Sequence, residues 1–254
     1  MRIRVFMPLF FAARLFGQAK DPVEIELMTY PEIHNAVHNQ GKTTVLVYNG
    51  GTEQRGPHAV LGGHTLIARK TGPEIARRLG NALVAPVMPF SPADMHLNPK
   101  WPGTVTVPAE VYLAVNEAVV ASMVTNGFRH IVLMGDHGGA QKELSALAGR
   151  LDAKYRAHGV RVHFCGAVYN YDSNAWLKKQ HLPLGTHASI TDTSVLMYLG
   201  GPDWIRRDKL VMGNKENGID GDPRPSTPEI GKTLYEMKVS AAVDEIQRLV
   251  AAVN

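Results

Sequence analysis

One cysteine, Cys165, stands in 254 residues. No internal disulfide is available, so cysteine usage says nothing about the redox compartment. Cys165 lies in the apolar run 160–168 and is expected to pack as a small buried hydrophobe. No stretch is long and apolar enough to span a bilayer, which argues against a membrane protein. No basic run with interleaved aromatics occurs, so the net charge of +4 reads as scattered surface charge and not as a nucleic-acid footprint. The chain has no Gly-Xaa-Ser-Xaa-Gly elbow, no dinucleotide fingerprint and no P-loop lysine. Serine-nucleophile, dinucleotide and nucleotide-phosphate chemistry therefore lose their usual signals. Internal repeats, low-complexity tracts and a second composition regime are also missing, so residues 20–254 read as one domain.

What is present starts at the N-terminus. Met1-Arg2-Ile3-Arg4 is basic, residues 5–16 are mostly apolar, and Gly17-Gln18-Ala19 ends on a small residue. This resembles a secretory signal peptide over residues 1–19 and predicts a periplasmic or secreted protein, with a cytoplasmic one as the alternative. The overall content, 44% hydrophobic and 20% charged, is that of a soluble globular chain.

Apolar runs alternate with helical patterns. Strands are expected at 43–48, 82–88, 130–134 and 161–169. Helices are expected at 30–39, 64–79, 108–126, 140–157, 187–199 and 227–253, with Pro73 able to kink the second. Residues 22–29 read as a short strand or linker. Residues 89–104, 170–186 and 213–225 read as loops. Continuous apolar strands between helices imply an α/β fold: three layers, α/β/α, around a mostly parallel sheet.

The chemistry-bearing side chains follow the strands. Glu53 and Arg55 come after the first, Asp94 and His96 after the second, Asp136 and His137 after the third. In a parallel sheet these loops emerge at one edge, so the residues can converge. Carboxylates and imidazoles gathered there suit a divalent metal such as zinc or manganese, with iron a further candidate. Glu53, His64 and His137 are the available ligands, with Asp192 or His96 as a fourth. Such an ion would polarise a carbonyl and activate a water.

Five motifs in order resemble the creatininase-like amidohydrolase family: Glu53-Gln54-Arg55-Gly56-Pro57-His58; His64; His96 with Pro102-Gly103-Thr104; Gly135-Asp136-His137-Gly138-Gly139; and His187 with Asp192-Thr193-Ser194. The resemblance spans residues 43–200 and implies the creatininase fold. It also implies metal-binding roles for Glu53 and His137 and proton transfer by His187. His64 stands where the family usually has a metal-bridging aspartate, and Arg55 where it has a histidine ligand of a second metal. Gly139 stands where creatininase has a second-metal glutamate, and Asp192 replaces a longer glutamate. An arginine stays protonated and cannot ligate a metal, so one metal is expected and a second is doubtful.

The resulting expectation is a metal-dependent hydrolase of a C–N bond, amide or lactam, in a small molecule. His187 would move a proton, and Arg55 or Asp136 would orient the substrate. His96, Trp101, Tyr169 and Trp176 would line the pocket. The rival readings are a non-hydrolytic small-molecule binder and a metal-dependent lyase or isomerase acting on a sugar-like substrate. The resemblance further implies a homo-oligomer, often a hexamer.

Overall fold

The computed structural model describes residues 22–252. The signal-peptide expectation for residues 1–19 lies outside them. The elements in chain order are α1 (Tyr30–His38), β1 (Thr44–Asn49), α2 (Gly63–Leu79), β2 (Ala82–Val84) and α3 (Ala109–Thr125). There follow β3 (His130–Gly135), α4 (Gln141–Tyr155), β4 (Arg161–Phe164), α5 (Ser173–Lys179), α6 (Ile190–Gly200) and α7 (Pro228–Ala251).

The strands form one parallel sheet in the order β2-β1-β3-β4. Every residue of β1 and β3 is buried, because helices cover both faces of the sheet and a strand sandwiched this way has no polar side. The helices α2, α6 and α7 pack together as one layer, while α3 and α4 pair with each other against β1 and β3. The three-layer α/β/α architecture expected from the sequence is therefore present.

Some boundaries differ, each for a local reason. The second strand stops at Val84 and does not run to Met88, because Pro86 and Pro89 remove ladder donors; Met88 keeps only an isolated bridge to Asn49. The fourth strand ends at Phe164, where the amides of Tyr169 and Asn170 turn back to the Gly166 carbonyl. The stretch 170–186 contains the helix α5, with Trp176 on it. The helix expected from His187 begins at Ile190, because His187 is tied by a backbone bridge to Asp220. Pro73 lies inside α2, which continues through it.

The strand order places the site. From β1 the chain moves outward to β2 and then crosses back to β3 on the other side of β1. The crevice beyond the carboxyl ends of β1 and β3 is thus the topological switch point, where open parallel sheets bind ligands. Asn49, the last residue of β1, pins this edge: its side-chain amide donates to Asn116 Oδ1 at 2.9 Å and to the Met134 carbonyl at 3.1 Å.

Candidate metal centre

Glu53 follows β1 by four residues and is 1% exposed. A carboxylate this deep needs donors, because burying it unpaired is costly. It has five. Oε1 lies 3.0 Å from His64 Nε2, 3.1 Å from Arg55 Nη1 and 3.4 Å from His187 Nδ1. Oε2 lies 2.7 Å from His137 Nε2 and 3.3 Å from His96 Nε2. Burial alone would raise the Glu53 pKa, but hydrogen bonds from His137 and His64, with the charge of Arg55, hold it well below the ordinary carboxylate range.

Each imidazole comes from a different segment. His64 sits in the first turn of α2. His137 stands just after β3, in the turn before α4. His96 belongs to a short 3-10 turn at Asp94–His96, and His187 precedes α6. The rings of His96 and His187 stack with centroids 4.0 Å apart. Among the described residues, two donor triads share Glu53: Glu53 with His64 and His137, and Glu53 with His96 and His187. In each triad the donor atoms lie within 4.8 Å of one another.

The hydrogen-bond network assigns the protons. His64 Nδ1 lies 2.8 Å from Asp136 Oδ2. Burial and Arg55 work against its protonation, but the Asp136 and Glu53 carboxylates outweigh them and raise its pKa. His187 Nε2 lies 2.8 Å from the Gln54 carbonyl oxygen and 3.0 Å from the Gln54 side-chain nitrogen, and its Nδ1 lies 3.4 Å from Glu53 Oε1. Burial first, then Arg55 and His96, lower the His187 pKa to about 4 against the pull of Glu53. His137 differs: its Nδ1 accepts from the Gly139 amide at 2.9 Å, so its proton sits on Nε2 and points at Glu53. Gly139 must be glycine, since a Cβ there would fall 2.0 Å from the Pro92 carbonyl oxygen.

Several residues expected to act on substrate are engaged by other side chains, although Asp136 and Asp192 do line the cavity. Arg55 is 0% exposed. Its guanidinium lies between Glu53 and Asp192, whose Oδ2 is 2.7 Å from Nη2, while Nε has no hydrogen-bond partner among the described residues. Gly63 leaves it room, because a Cβ there would meet Arg55 Nε at 2.7 Å. Asp192 stands outside both donor triads, engaged by Arg55 and by the Ala188 amide. Asp136 is likewise committed, to Lys238, to the Tyr48 hydroxyl at 2.9 Å and to His64. Trp101 donates its indole N–H to the Glu216 carbonyl, and Trp176 packs against the core; neither lines the cavity. Tyr169, His96 and His187 do line it. Lys238 escapes sequence reasoning altogether.

The cavity above Glu53 has a volume of about 660 Å³. His64, His96, His137 and His187 form its floor with Glu53, and Asn170, Ser173, Asn174 and Thr186 contribute a polar rim. No helix among the described residues is long and apolar enough to cross a membrane.

The donor set fits a divalent cation by its own chemistry. Imidazole nitrogen and carboxylate oxygen are ligands for zinc, manganese and iron. Glu53, Asp136 and Asp192 carry three negative charges against the two fixed positive charges of Arg55 and Lys238. One negative charge is left in a buried place; a protonated His64 cancels it, and a divalent cation turns it into a single positive charge.

A family model described as creatininase, creatinine amidohydrolase, matches residues 26–246. Over 230 residues the chain is 29% identical to a mycofactocin precursor peptide peptidase of Mycolicibacterium smegmatis, covering 80% of this chain and 84% of that one. Among solved structures, a mutant creatininase of Zn-Zn type superposes with a TM-score of 0.76 at 19% identity, over 89% of this chain and 98% of that one. A structure described as creatininase Mn gives a TM-score of 0.72 at 20% identity, with the same coverage. At these identities the structures speak for the fold alone.

Proposed function

The chain belongs to the creatininase family of metal-dependent amidohydrolases, and from that premise we propose that it hydrolyses a C–N bond of an amide or lactam. The observation that carries the reading is the buried Glu53 carboxylate within reach of four imidazoles on the floor of a polar cavity. Glu53, His64 and His137 would hold a divalent ion, with His96 and His187 facing the same space. The ion supplies Lewis acidity toward the carbonyl and lowers the pKa of water to near neutrality.

The protein's own groups do the rest. His187 is neutral at physiological pH and turns its Nδ1 toward Glu53 on the cavity floor. It takes a proton there from the attacking water and returns it to the leaving nitrogen. Tyr169 and the polar rim orient the substrate. Arg55 serves the site from behind, as a permanent internal cation beside Glu53. Its presence favours one ion over two: a single divalent ion leaves one net positive charge among the groups counted above, whereas two leave three, and buried uncompensated charge is costly.

The mycofactocin peptidase relative supports a peptide or peptide-derived substrate, and the cavity volume falls within the range of small-molecule sites. The test is elemental analysis of the purified protein, followed by a turnover screen over small amides, lactams and short peptides. One zinc, manganese or iron per chain with hydrolysis of a member of the panel supports the reading. A protein that takes up no divalent metal after reconstitution contradicts it.

A further inference from the structure

Lys238 is out of place by composition. Its helix, α7, packs Leu234, Tyr235, Val239, Ala242 and Val243 into the core, yet Lys238 sits among them at 6% exposure. A buried ammonium is tolerated only with a partner. Its Nζ is in contact with Asp136 Oδ1 and lies 5.6 Å above the Tyr171 ring. The same oxygen accepts the Tyr48 hydroxyl hydrogen bond. The second oxygen, Oδ2, is turned away from both and lies 2.8 Å from His64 Nδ1.

We propose that Lys238 and Asp136 form a positioning pair that sets His64 as a metal ligand; this rests on the metal reading above. Two donors clamp one carboxylate oxygen, so the other can point only at His64. Accepting the Nδ1–H there fixes both the ring's orientation and its tautomer. Nε2 then faces the space beside Glu53 Oε1 with its lone pair free once an ion replaces its proton. A carboxylate behind a ligating histidine does this generally and makes the imidazole a stronger donor. Here the carboxylate is itself held from α7, 102 residues further along the chain. Packing alone gives no reason for Oδ2 to be reserved for His64.

The test measures zinc affinity by chelator competition on folded protein. Loss of such a partner typically weakens metal binding roughly 10–100-fold. That range is expected for Lys238→Met and for Asp136→Asn, with one ion still bound at saturation. Lys238→Arg, which keeps the charge, is expected to stay within about threefold of wild type. If Lys238→Met does not fold, the double variant Lys238→Met/Asp136→Asn removes both charges together. A merely structural pair would then regain wild-type affinity, whereas a positioning pair stays weakened. In the zinc-loaded wild type, long-range proton–nitrogen spectra should show His64 protonated at Nδ1. Wild-type affinity in the double variant, or a proton on His64 Nε2, overturns the proposal. Failure of the wild type to bind zinc would instead remove the metal reading, and this inference with it.

Discussion

Imidazoles meet at both ends of this sheet, and only one meeting encloses a carboxylate. At the carboxyl edge four rings surround Glu53, and its charge with that of Asp136 raises the pKa of His64. Toward the amino end of the strands, His130 and His163 stack with centroids 5.5 Å apart, and their nitrogens approach to 3.3 Å. Among the described residues no carboxylate bonds to either ring, and Asp152 acts on His163 only through its charge. Burial first, then His130 and Arg161, lower the His163 pKa to about 4, and His130 shifts the same way. The same side chain, buried to a similar degree, is thus a neutral packing group at one end. At the other, His64 is set to hold a proton or face a cation, while His96 and His187 are shifted down by burial like the control pair. The two carboxylates bonded to His64, Asp136 and Glu53, make the difference.

The comparison can be broken at its centre. Glu53→Gln keeps the volume of the side chain and removes the charge, turning the first cluster into something like the second. Metal content of the folded variant should fall to background, and hydrolysis with it. His187→Gln tests the proton role and leaves the anion in place. Metal content should hold, while kcat drops by about 10²–10⁴-fold, the usual contribution of a positioned acid–base group.

Arg55→Met leaves Glu53 and Asp192 without their shared cation. Removing one partner of a buried ion pair costs about 3–5 kcal/mol, so denaturant unfolding should show a loss of that order. The smallest effect belongs to the control pair. His163 is held neutral in the fold, whereas its unfolded pKa is near 6.5. The unfolded chain therefore binds the proton first. This group's contribution to stability is intact above pH 6.5 and is lost as pH falls toward about 4. His163→Gln should flatten the fall of Tm in that window, and an unchanged slope would show that the pair does not titrate on unfolding.

The difference between the ends also explains what was legible in the sequence. The runs 43–48 and 130–134 announced β1 and β3, because strands buried on both faces need no polar residues. The short α5 was not visible: only Leu177 of its seven residues is buried, too few for a periodic signal. At the site, position after a strand was enough to single out Glu53 and His137. Position says nothing of direction, however. Arg55 looked available to substrate because its spacing hid that two carboxylates, at 53 and 192, would claim it. Trp101 and Trp176 were placed near the right edge but turn elsewhere, one to a backbone carbonyl and one to the core. Lys238 reads in sequence as an ordinary polar position of an amphipathic helix. Its meaning depends on Asp136, which only the folded chain brings to it.

The central claim is that Glu53 and its imidazoles enclose a single divalent cation. A crystal of the zinc-loaded protein, examined by anomalous scattering at the zinc edge, tests it most directly. The account predicts one peak per chain, about 2.0–2.2 Å from a Glu53 oxygen and from His64 Nε2. Two peaks in the cluster, or zinc bound elsewhere with Glu53 still paired only to its imidazoles and Arg55, would contradict it.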